Sequence, residues 1–331
     1  MLSRLYMQTM PSSCLQTDTF TQHISPATRL RLIPSAGSWA FDPLSLSEGD
    51  LFDTTCLIFD VVFAIEGASE DIGIQAHQLR PFLQAMRSVY QHNTYHNYQH
   101  AVDVLQAMFV FLVDAGCVPP ISILEGSRAL VSPKWKRASA PIGTLKDILS
   151  NVDVFMLFVA ALGHDAGHPG LNNGFMVSVF PLLLATPFND ALETLQKSAG
   201  TCLSAIFDHT STLERMHCTL LLQLMRNFGL GHLIRSDNII FGDSIISTNI
   251  RGALVDTVLA TDMSLHFKWI KDFNDLIDER GPLDTTFHTQ CEKAKRRVKI
   301  LACQALMKCA DISNPVSNCG ATFSFQYTER S

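Results

Sequence analysis

Three short segments of the chain have histidine and aspartate side chains at spacings that suit metal binding. They are His96-Asn-Tyr-Gln-His100, His164-Asp165-Ala-Gly-His168 and Ala310-Asp311. Imidazole and carboxylate ligands suit a borderline cation such as Zn²⁺, whereas a carboxylate combined with waters suits Mg²⁺ or Mn²⁺. Because the aspartate of the adjacent pair His164-Asp165 can bridge to a second cation, the segments together predict a hydrolytic centre with two divalent metal ions.

Each segment alone has a simpler explanation. Two histidines four residues apart are usually exposed positions on a helix, and a lone His-Asp-x-x-His is as often an ion pair at a helix end. The combination with the helix-ending Pro169-Gly170, and with an Asp311 placed at a buried position of the last helix, favours a metal centre over coincidence.

The elements that must position these side chains have helical spacing. Apolar residues recur at intervals of three and four along most of the chain after Trp39, and His96 and His100 continue one such stripe if its helix begins early enough. Residues 152–162 are apolar on every side, which predicts a buried helix that ends at His164 and Asp165. The segment Ser211-Thr-Leu-Glu214 is typical of a capping box. Since no period-2 run occurs, the sequence predicts an all-α architecture.

The composition excludes several classes of function. The chain has 331 residues, 47% of them hydrophobic, and a net charge of −6, so no broad positive field favours a nucleic acid polymer. The longest apolar stretch, Val154–Leu162, is far shorter than the roughly 20 residues of a membrane span. Nine scattered cysteines without a C-x-x-C pair are typical of a reducing compartment, which predicts a cytoplasmic protein.

The first 38 residues differ in composition from the rest. They are rich in Ser, Thr and Pro and contain a single acid, Asp18, which predicts a disordered N-terminal tail over residues 1–38. A mitochondrial transit peptide is the alternative, although no amphipathic helix bearing arginines is evident.

The motifs resemble, in order, the signatures of one enzyme family. The matching segments are His96-Asn-x-x-His100-Ala, Gly163-His164-Asp165-x-x-His168-Pro-Gly-x-Asn-Asn-x-Phe175, Leu213-Glu214, Ala260-Thr-Asp262-Met-Ser and Cys309-Ala-Asp311-Ile-Ser-Asn-Pro315. The chain resembles the class I 3′,5′-cyclic nucleotide phosphodiesterases of the HD-domain superfamily over residues 39–315. The resemblance implies their multi-helix, all-α catalytic domain and hydrolysis of cAMP or cGMP to the 5′-monophosphate in second-messenger signalling.

The resemblance also implies roles for individual residues. His100, His164, Asp165 and Asp311 would bind the tighter, zinc-type ion, and Asp165 would bridge to a Mg²⁺-type or Mn²⁺-type ion surrounded mostly by waters. His96 would be the general acid that protonates the departing 3′ oxygen. Three further residues would hold waters of the second ion: His168, Glu214 and Asp262. Glu214 has an equally weighted alternative as the N3 member of its capping box, whereas a lone buried Asp262 favours a role in the site.

Two segments depart from the family pattern. Residues 177–196 look like an insertion, and residues 316–331 replace the helices that follow Asn314-Pro315 in the family. Both segments begin with Val-Ser, which GTAAGT encodes in this frame, so we hypothesise that they are translated introns. The resemblance then implies a domain without its last helices and without the glutamine that recognises the purine.

These departures keep two alternatives open beside the prediction of a cyclic nucleotide phosphodiesterase. One is an inactive, metal-binding remnant or interaction module of the same family, and the other is an HD-type phosphohydrolase acting on other nucleotides. Both cAMP and cGMP remain candidate substrates, and the sequence favours no oligomeric state.

Overall fold

The structure is a computed structural model that describes residues 24–125, 134–171, 173, 210–235, 250–280 and 292–313. Over these residues the chain forms eleven α-helices joined by loops and short 3-10 turns. The α-helices are α1 (Pro26–Ala36), α2 (Glu48–Phe63), α3 (Ala68–Ile72), α4 (Ala76–Ser88), α5 (Tyr98–Asp114), α6 (Leu145–Ile148), α7 (Asn151–Gly163), α8 (Thr212–Asn227), α9 (Ile250–Leu259), α10 (His266–Arg280) and α11 (Glu292–Ile312). Within the described ranges the only β pairing is an isolated bridge between Ile65 and Trp135, so the all-α prediction is confirmed.

Helix α7 lies at the centre of the molecule. Every residue from Val154 to Gly163 is buried, as the uniformly apolar sequence predicts. Its start is fixed by a capping box, in which the Asp153 carboxylate accepts from the Ser150 amide at 2.8 Å and Ser150 Oγ accepts from the Asp153 amide at 3.2 Å. A helix that is capped at one end and buried along its length places its last residues precisely, and those residues lead directly into His164 and Asp165.

Helices α5 and α11 pack beside α7. The Lys299 ammonium of α11 donates to the Asp153 carboxylate at 2.7 Å, and Gln304 Nε2 of α11 donates to the Asp256 carbonyl of α9 at 2.9 Å. These two contacts fix both the depth and the rotation of α11, which brings Asp311 in its last turn towards the end of α7. The Asp311 side chain is 25% exposed, so the position predicted to be buried is only partly so.

The apolar spacing allowed α5 to begin early enough to include His96, but the helix begins later. Asn97 is its N-cap and accepts from the His100 amide at 3.0 Å, so the helix starts at Tyr98. His96 therefore precedes the helix instead of extending its face.

The N-terminal segment is the main correction to the sequence prediction. Residues 24–38 are not a disordered tail, because α1 packs against the core and buries Leu32, Ile33 and Ala36. Ser25 and Pro26, residue types that contributed to the prediction of disorder, begin this helix. Ser25 is its N-cap and Pro26 occupies its first position. The Gln106 amide of α5 donates to the carbonyls of Ala36 and Ser38, which holds the end of α1 in place.

The remaining predictions about chain organisation lie outside the described residues. These are the disorder of residues 1–23, the insertion at 177–196 and the tail at 316–331. Among the helices that are described, none combines the length and hydrophobicity that a membrane span requires.

Candidate metal centre

Three helices bring one imidazole and carboxylate cluster together at the C-terminal end of α7. His100 comes from the first turn of α5, His164 and Asp165 follow α7, and Asp311 comes from the last turn of α11. Asp311 Oδ1 lies 3.3 Å from Nε2 of both His100 and His164. Asp165 Oδ2 lies 3.6 Å from His100 Nε2 and 3.4 Å from His164 Nε2. The structure thus brings together all four residues for which the resemblance implies a role at the tighter ion.

These distances fit a single bound cation. Ligands about 2.1 Å from a tetrahedral Zn²⁺ are about 3.4 Å apart, which agrees with the measured 3.3 to 3.6 Å. His164 Nε2 and Asp165 Oδ2 are buried and have no hydrogen-bond partner among the described residues. Buried polar atoms without partners are costly, and a cation between them would satisfy both. The residues present therefore fit the metal ion that the sequence predicts.

The tautomer of His164 suits this role. Its Nδ1 lies 2.9 Å from the Ala161 carbonyl, and since a carbonyl only accepts, Nδ1 carries the proton. In the neutral ring, Nε2 then presents its lone pair to the cluster. A backbone carbonyl behind a ligand histidine is a common way of fixing the ring and its tautomer.

The cluster is strongly coupled electrostatically. Burial alone disfavours a charged His164, but the facing carboxylates of Asp165 and Asp311 outweigh it and raise the pKa of His164 to about 9. Burial likewise raises the pKa of each carboxyl, but His164 and its neighbouring imidazoles outweigh it and hold the pKa of Asp165 and Asp311 below the usual range. Two carboxylates that stay ionised in a largely buried cluster make a strong site for positive charge.

His96 lies beside the cluster, where its ring stacks on the ring of His168 with 4.0 Å between centroids. One side-chain amide positions both residues, because Asn93 Nδ2 donates to the carbonyls of His96 and His168. Burial lowers the pKa of His96 and lowers that of His168 to about 4. Gly170 also contributes, since a Cβ there would lie 2.9 Å from Asn93 Oδ1.

The structure adds His217 of α8, which sequence reasoning left out. Its Nε2 lies 3.8 Å from Asp165 Oδ1, the carboxylate oxygen that faces away from the first cluster. Asp165, His168 and His217 form a second buried group whose ligand atoms lie within 4.8 Å of one another. Its position one turn after Glu214, on the buried face of an amphipathic helix, was the available signal.

Glu214 is not part of a capping box. Ser211, which precedes α8, has a left-handed backbone with φ of 46° and makes no side-chain capping bond. Asn173 takes that place: its Oδ1 accepts from the Leu213 amide, and its Nδ2 donates to both carboxylate oxygens of Glu214 at 3.0 and 3.1 Å. Because Asn173 hydrogen-bonds the Leu213 amide, the Glu214 side chain faces Asn173. Burial raises the pKa of Glu214.

Asp262 lies near the start of α8. Its Oδ2 accepts from Ser211 Oγ at 2.6 Å, and its Oδ1 accepts from the Ser264 amide at 2.8 Å. Neither bond goes to a member of the metal cluster. Asp262 thus stabilises the start of α8, the helix that carries Glu214, and is linked to the site through that helix.

Gly163, which directly precedes His164, is closely packed, and this packing predicts the effect of Gly163→Ala. A Cβ at this helical position would lie 2.8 Å from Leu221 Cδ1 and 3.2 Å from Met86 Cε, and Leu221 is fully buried. We expect the strain to exceed the gain in helix propensity and to lower the free energy of unfolding by about 1–2 kcal/mol in urea denaturation.

Gly49→Ala is the matched control, because it is also helical but the nearest atom to its added Cβ is 3.8 Å away. This variant should be as stable as the wild type or more so. Equal effects of the two substitutions would contradict the packing argument.

A match to a protein family model identifies the family of the chain that carries this cluster. A family model described as 3′5′-cyclic nucleotide phosphodiesterase matches residues 95–325, a range that includes every residue of both clusters. The chain belongs to this family. Its phosphodiesterase fold and all-α architecture therefore agree with the resemblance found in the motifs.

Curated relatives show the same relationship at low identity. The chain is 26% identical over 278 residues to the 3′,5′-cyclic-nucleotide phosphodiesterase regA of Dictyostelium discoideum, covering 83% of this chain and 26% of the relative. It is 25% identical over 301 residues to a human high affinity cAMP-specific and IBMX-insensitive 3′,5′-cyclic phosphodiesterase 8A, covering 88% and 30%. This phosphodiesterase-family chain thus spans less than a third of the length of these two relatives.

Solved structures agree on the fold. The crystal structure of yeast caPDE2 has a TM-score of 0.59 and 27% identity, covering 95% of this chain and 52% of that one. The phosphodiesterase domain of the RhoPDE fusion protein from the choanoflagellate Salpingoeca rosetta has a TM-score of 0.56 and 20% identity, covering 87% and 70%. At that identity the second match shows the fold alone.

Proposed function

We propose that this chain hydrolyses 3′,5′-cyclic nucleotides, cAMP or cGMP, to 5′-monophosphates with the help of two divalent cations. The observation that supports this most is the convergence of His100, His164, Asp165 and Asp311 on one point with His96 alongside, within the range that matches the family. The names of the relatives supply the substrate class, since several are described as acting on cyclic nucleotides.

The geometry of the clusters supports the proposed cation ligands. His100, His164, Asp165 and Asp311 would bind the first cation, for which imidazole and carboxylate donors favour Zn²⁺. Asp165 would share its other oxygen with the second, Mg²⁺ or Mn²⁺. Bound in this way, two such ions polarise a phosphate and activate a water. The protein's own contribution is to keep Asp165 and Asp311 ionised and His164 in the binding tautomer.

His96 is proposed as the general acid. Hydrolysis of a cyclic phosphodiester leaves a 3′ oxygen that needs a proton, and an imidazole beside the phosphate site can supply it. The His96 backbone is held by Asn93 and its ring by stacking on His168, so the side chain is oriented without being a member of the cation cluster. His168 and Glu214 are proposed to orient waters around the second ion, and Asp262 to support them through Ser211.

A direct assay tests the proposal. The purified chain is incubated with cAMP or cGMP in the presence of Zn²⁺ with Mg²⁺ or Mn²⁺, and the 5′-monophosphate is measured by chromatography. We expect turnover that a chelator abolishes and that added cations restore. Absence of turnover above an Asp311→Ala variant, in a chain that still binds cations, would reject catalysis.

A second candidate function is that of a metal-binding interaction module. It is favoured by apolar side chains that are exposed in the described part of the chain, with Met263 and Ile312 each 65% exposed and Phe267 82% exposed. Exposed apolar groups of this size often mark a surface that another element or partner covers. The same assay separates the two functions, because a binding module would take up cations without turnover.

We also propose a reducing, cytoplasmic location. The described cysteines are all free thiols, and four of the five are buried: Cys56, Cys117, Cys218 and Cys303. Burial raises the pKa of Cys56, Cys218 and Cys303 to about 12, which keeps them protonated and unreactive. Cysteines used as small apolar side chains fit a compartment without disulfide formation.

A further inference from the structure

A separate group of buried polar atoms lies where α10 meets α11. Lys308 of α11 is 8% exposed, and its Nζ lies 5.5 Å from the centre of the Trp269 ring of α10. His266 is three residues before Trp269 on α10, so both side chains lie on one face of that helix. Three buried nitrogen atoms of this group have no hydrogen-bond partner among the described residues: Lys308 Nζ, Trp269 Nε1 and His266 Nδ1.

The charge of Lys308 has no counter-ion of its own in the described part of the chain. The carboxylates whose charges act on it are Asp311 and Asp262. Asp311 faces two histidines of the metal centre at 3.3 Å, and both oxygens of Asp262 accept other hydrogen bonds. Neither carboxylate accepts a hydrogen bond from Lys308. Burial therefore lowers the pKa of Lys308, and the two carboxylates oppose this only in part.

The three atoms share a need for an acceptor. An ammonium and an indole N–H only donate, and an imidazole Nδ1 donates in the tautomer that carries its proton there. The face of the Trp269 ring attracts the Lys308 charge but accepts none of these bonds in their usual geometry. Phe273 stacks on Trp269 with 5.1 Å between ring centroids, which holds the indole in place. Buried donors without partners are costly, so the group favours a ligand that is negatively charged and rich in oxygen.

We propose that Lys308, Trp269 and His266 form a binding site for a small tetrahedral oxyanion, the shared chemistry of sulfate and phosphate. Several oxygens on one centre can accept from several donors at once, and the partly exposed rings of Trp269 and His266 let an ion enter from solvent. The site is separate from the cation centre and does not depend on the proposed hydrolysis.

The position of Lys308 links the anion to the cation centre. Lys308 comes three residues before Asp311 on α11, so the two side chains are about one helical turn apart. An unliganded Asp311 carboxylate repels an anion bound to Lys308, and a cation on Asp311 removes that repulsion. Anion and cation should therefore strengthen each other's binding, by the same factor in both directions.

Calorimetric titration with sulfate tests the site without relying on turnover. The 331-residue chain is dialysed against a chelator and titrated with sodium sulfate, and then with sodium acetate as a planar anion. We expect saturable binding of one sulfate, and weaker binding of acetate. The sulfate affinity should fall at least about 10-fold in Lys308→Met, which keeps the length of the side chain, and in Trp269→Phe, which removes the N–H donor.

Lys293→Met is the matched control, because it is the same substitution at an exposed position of α11. This control should bind sulfate as the wild type does. Without sulfate, Lys308→Met should be at least as stable as the wild type in urea, since it removes a buried charge that lacks a partner. Sulfate at low millimolar concentration should then stabilise the wild type more than this variant.

The possible results separate the site from a general effect of salt. Sulfate binding that is absent from the wild type, or unchanged in both Lys308→Met and Trp269→Phe, would overturn the site, and circular dichroism shows whether each variant is folded. Acetate binding as tight as sulfate binding would reject a tetrahedral ligand. A sulfate affinity that does not rise after one equivalent of Zn²⁺ is bound would refute the link to Asp311. None of these results would contradict the proposed hydrolysis, which the turnover assay tests.

Discussion

Asp165→Asn is expected to lose both cations and to lower kcat/KM for cyclic nucleotide hydrolysis by at least about 10³-fold, since cations supply several kcal/mol of charge stabilisation. Asparagine has the same shape, so packing is preserved while the charge is removed. The carboxylate has one oxygen facing His100 and His164 and the other facing His217. No other single residue in the described part of the chain belongs to both groups of potential ligands.

The measurement is cation content by mass spectrometry after dialysis, combined with steady-state kinetics on cAMP and cGMP. Asp153→Asn is the matched control, because it is the same substitution at the opposite end of α7, where Asp153 binds Ser150 and Lys299. This control should be less stable but should retain both ions. An Asp165→Asn variant that binds two ions with wild-type affinity would refute the bridging role.

His96→Gln should lower kcat by about 10²–10⁴-fold, the usual contribution of a general acid, while cation content stays at the wild-type level. His96 lies outside the cation cluster and stacks on His168, and Asn93 holds its backbone independently of the ring. Removing the ring therefore removes the proton donor without disturbing the ligands.

A change of leaving group provides the discriminating experiment for His96. A phosphodiester that releases p-nitrophenolate needs no proton, so the variant and the wild type should cleave it at similar rates. His92→Gln serves as the control, since it makes the same substitution four residues earlier on an exposed side chain. Equal losses on both substrates would indicate that His96 binds substrate or supports the site instead of donating a proton.

The sequence predicted those parts of the site that depend on local patterns. The buried helix α7 followed from a continuous apolar run that leads to His164 and Asp165, and the all-α architecture followed from helical apolar spacing; both are properties of neighbouring residues. The ligand motifs were recognisable because His164 and Asp165 are adjacent in the chain.

The parts that sequence reasoning missed depend on contacts between distant segments. Asn173 replaces the expected capping box at α8 because it reaches the Leu213 amide from another part of the chain. The sequence could not decide between a water-holding and a merely helix-terminal role for His217, which the fold places against Asp165. Helix α1 was misassigned because composition alone cannot show that Leu32 and Ile33 have a core to pack against.

The position of Asp311 in α11 has a consequence for the order in which the molecule assembles. Most of the chain lies between His100 and Asp311, so their meeting is among the most non-local contacts of the fold. During synthesis α5 and α7 leave the ribosome long before α11, and the cluster lacks a carboxylate until α11 docks. A cation that binds residues of all three helices would then stabilise their docked arrangement, because it binds fully only when α5, α7 and α11 are together.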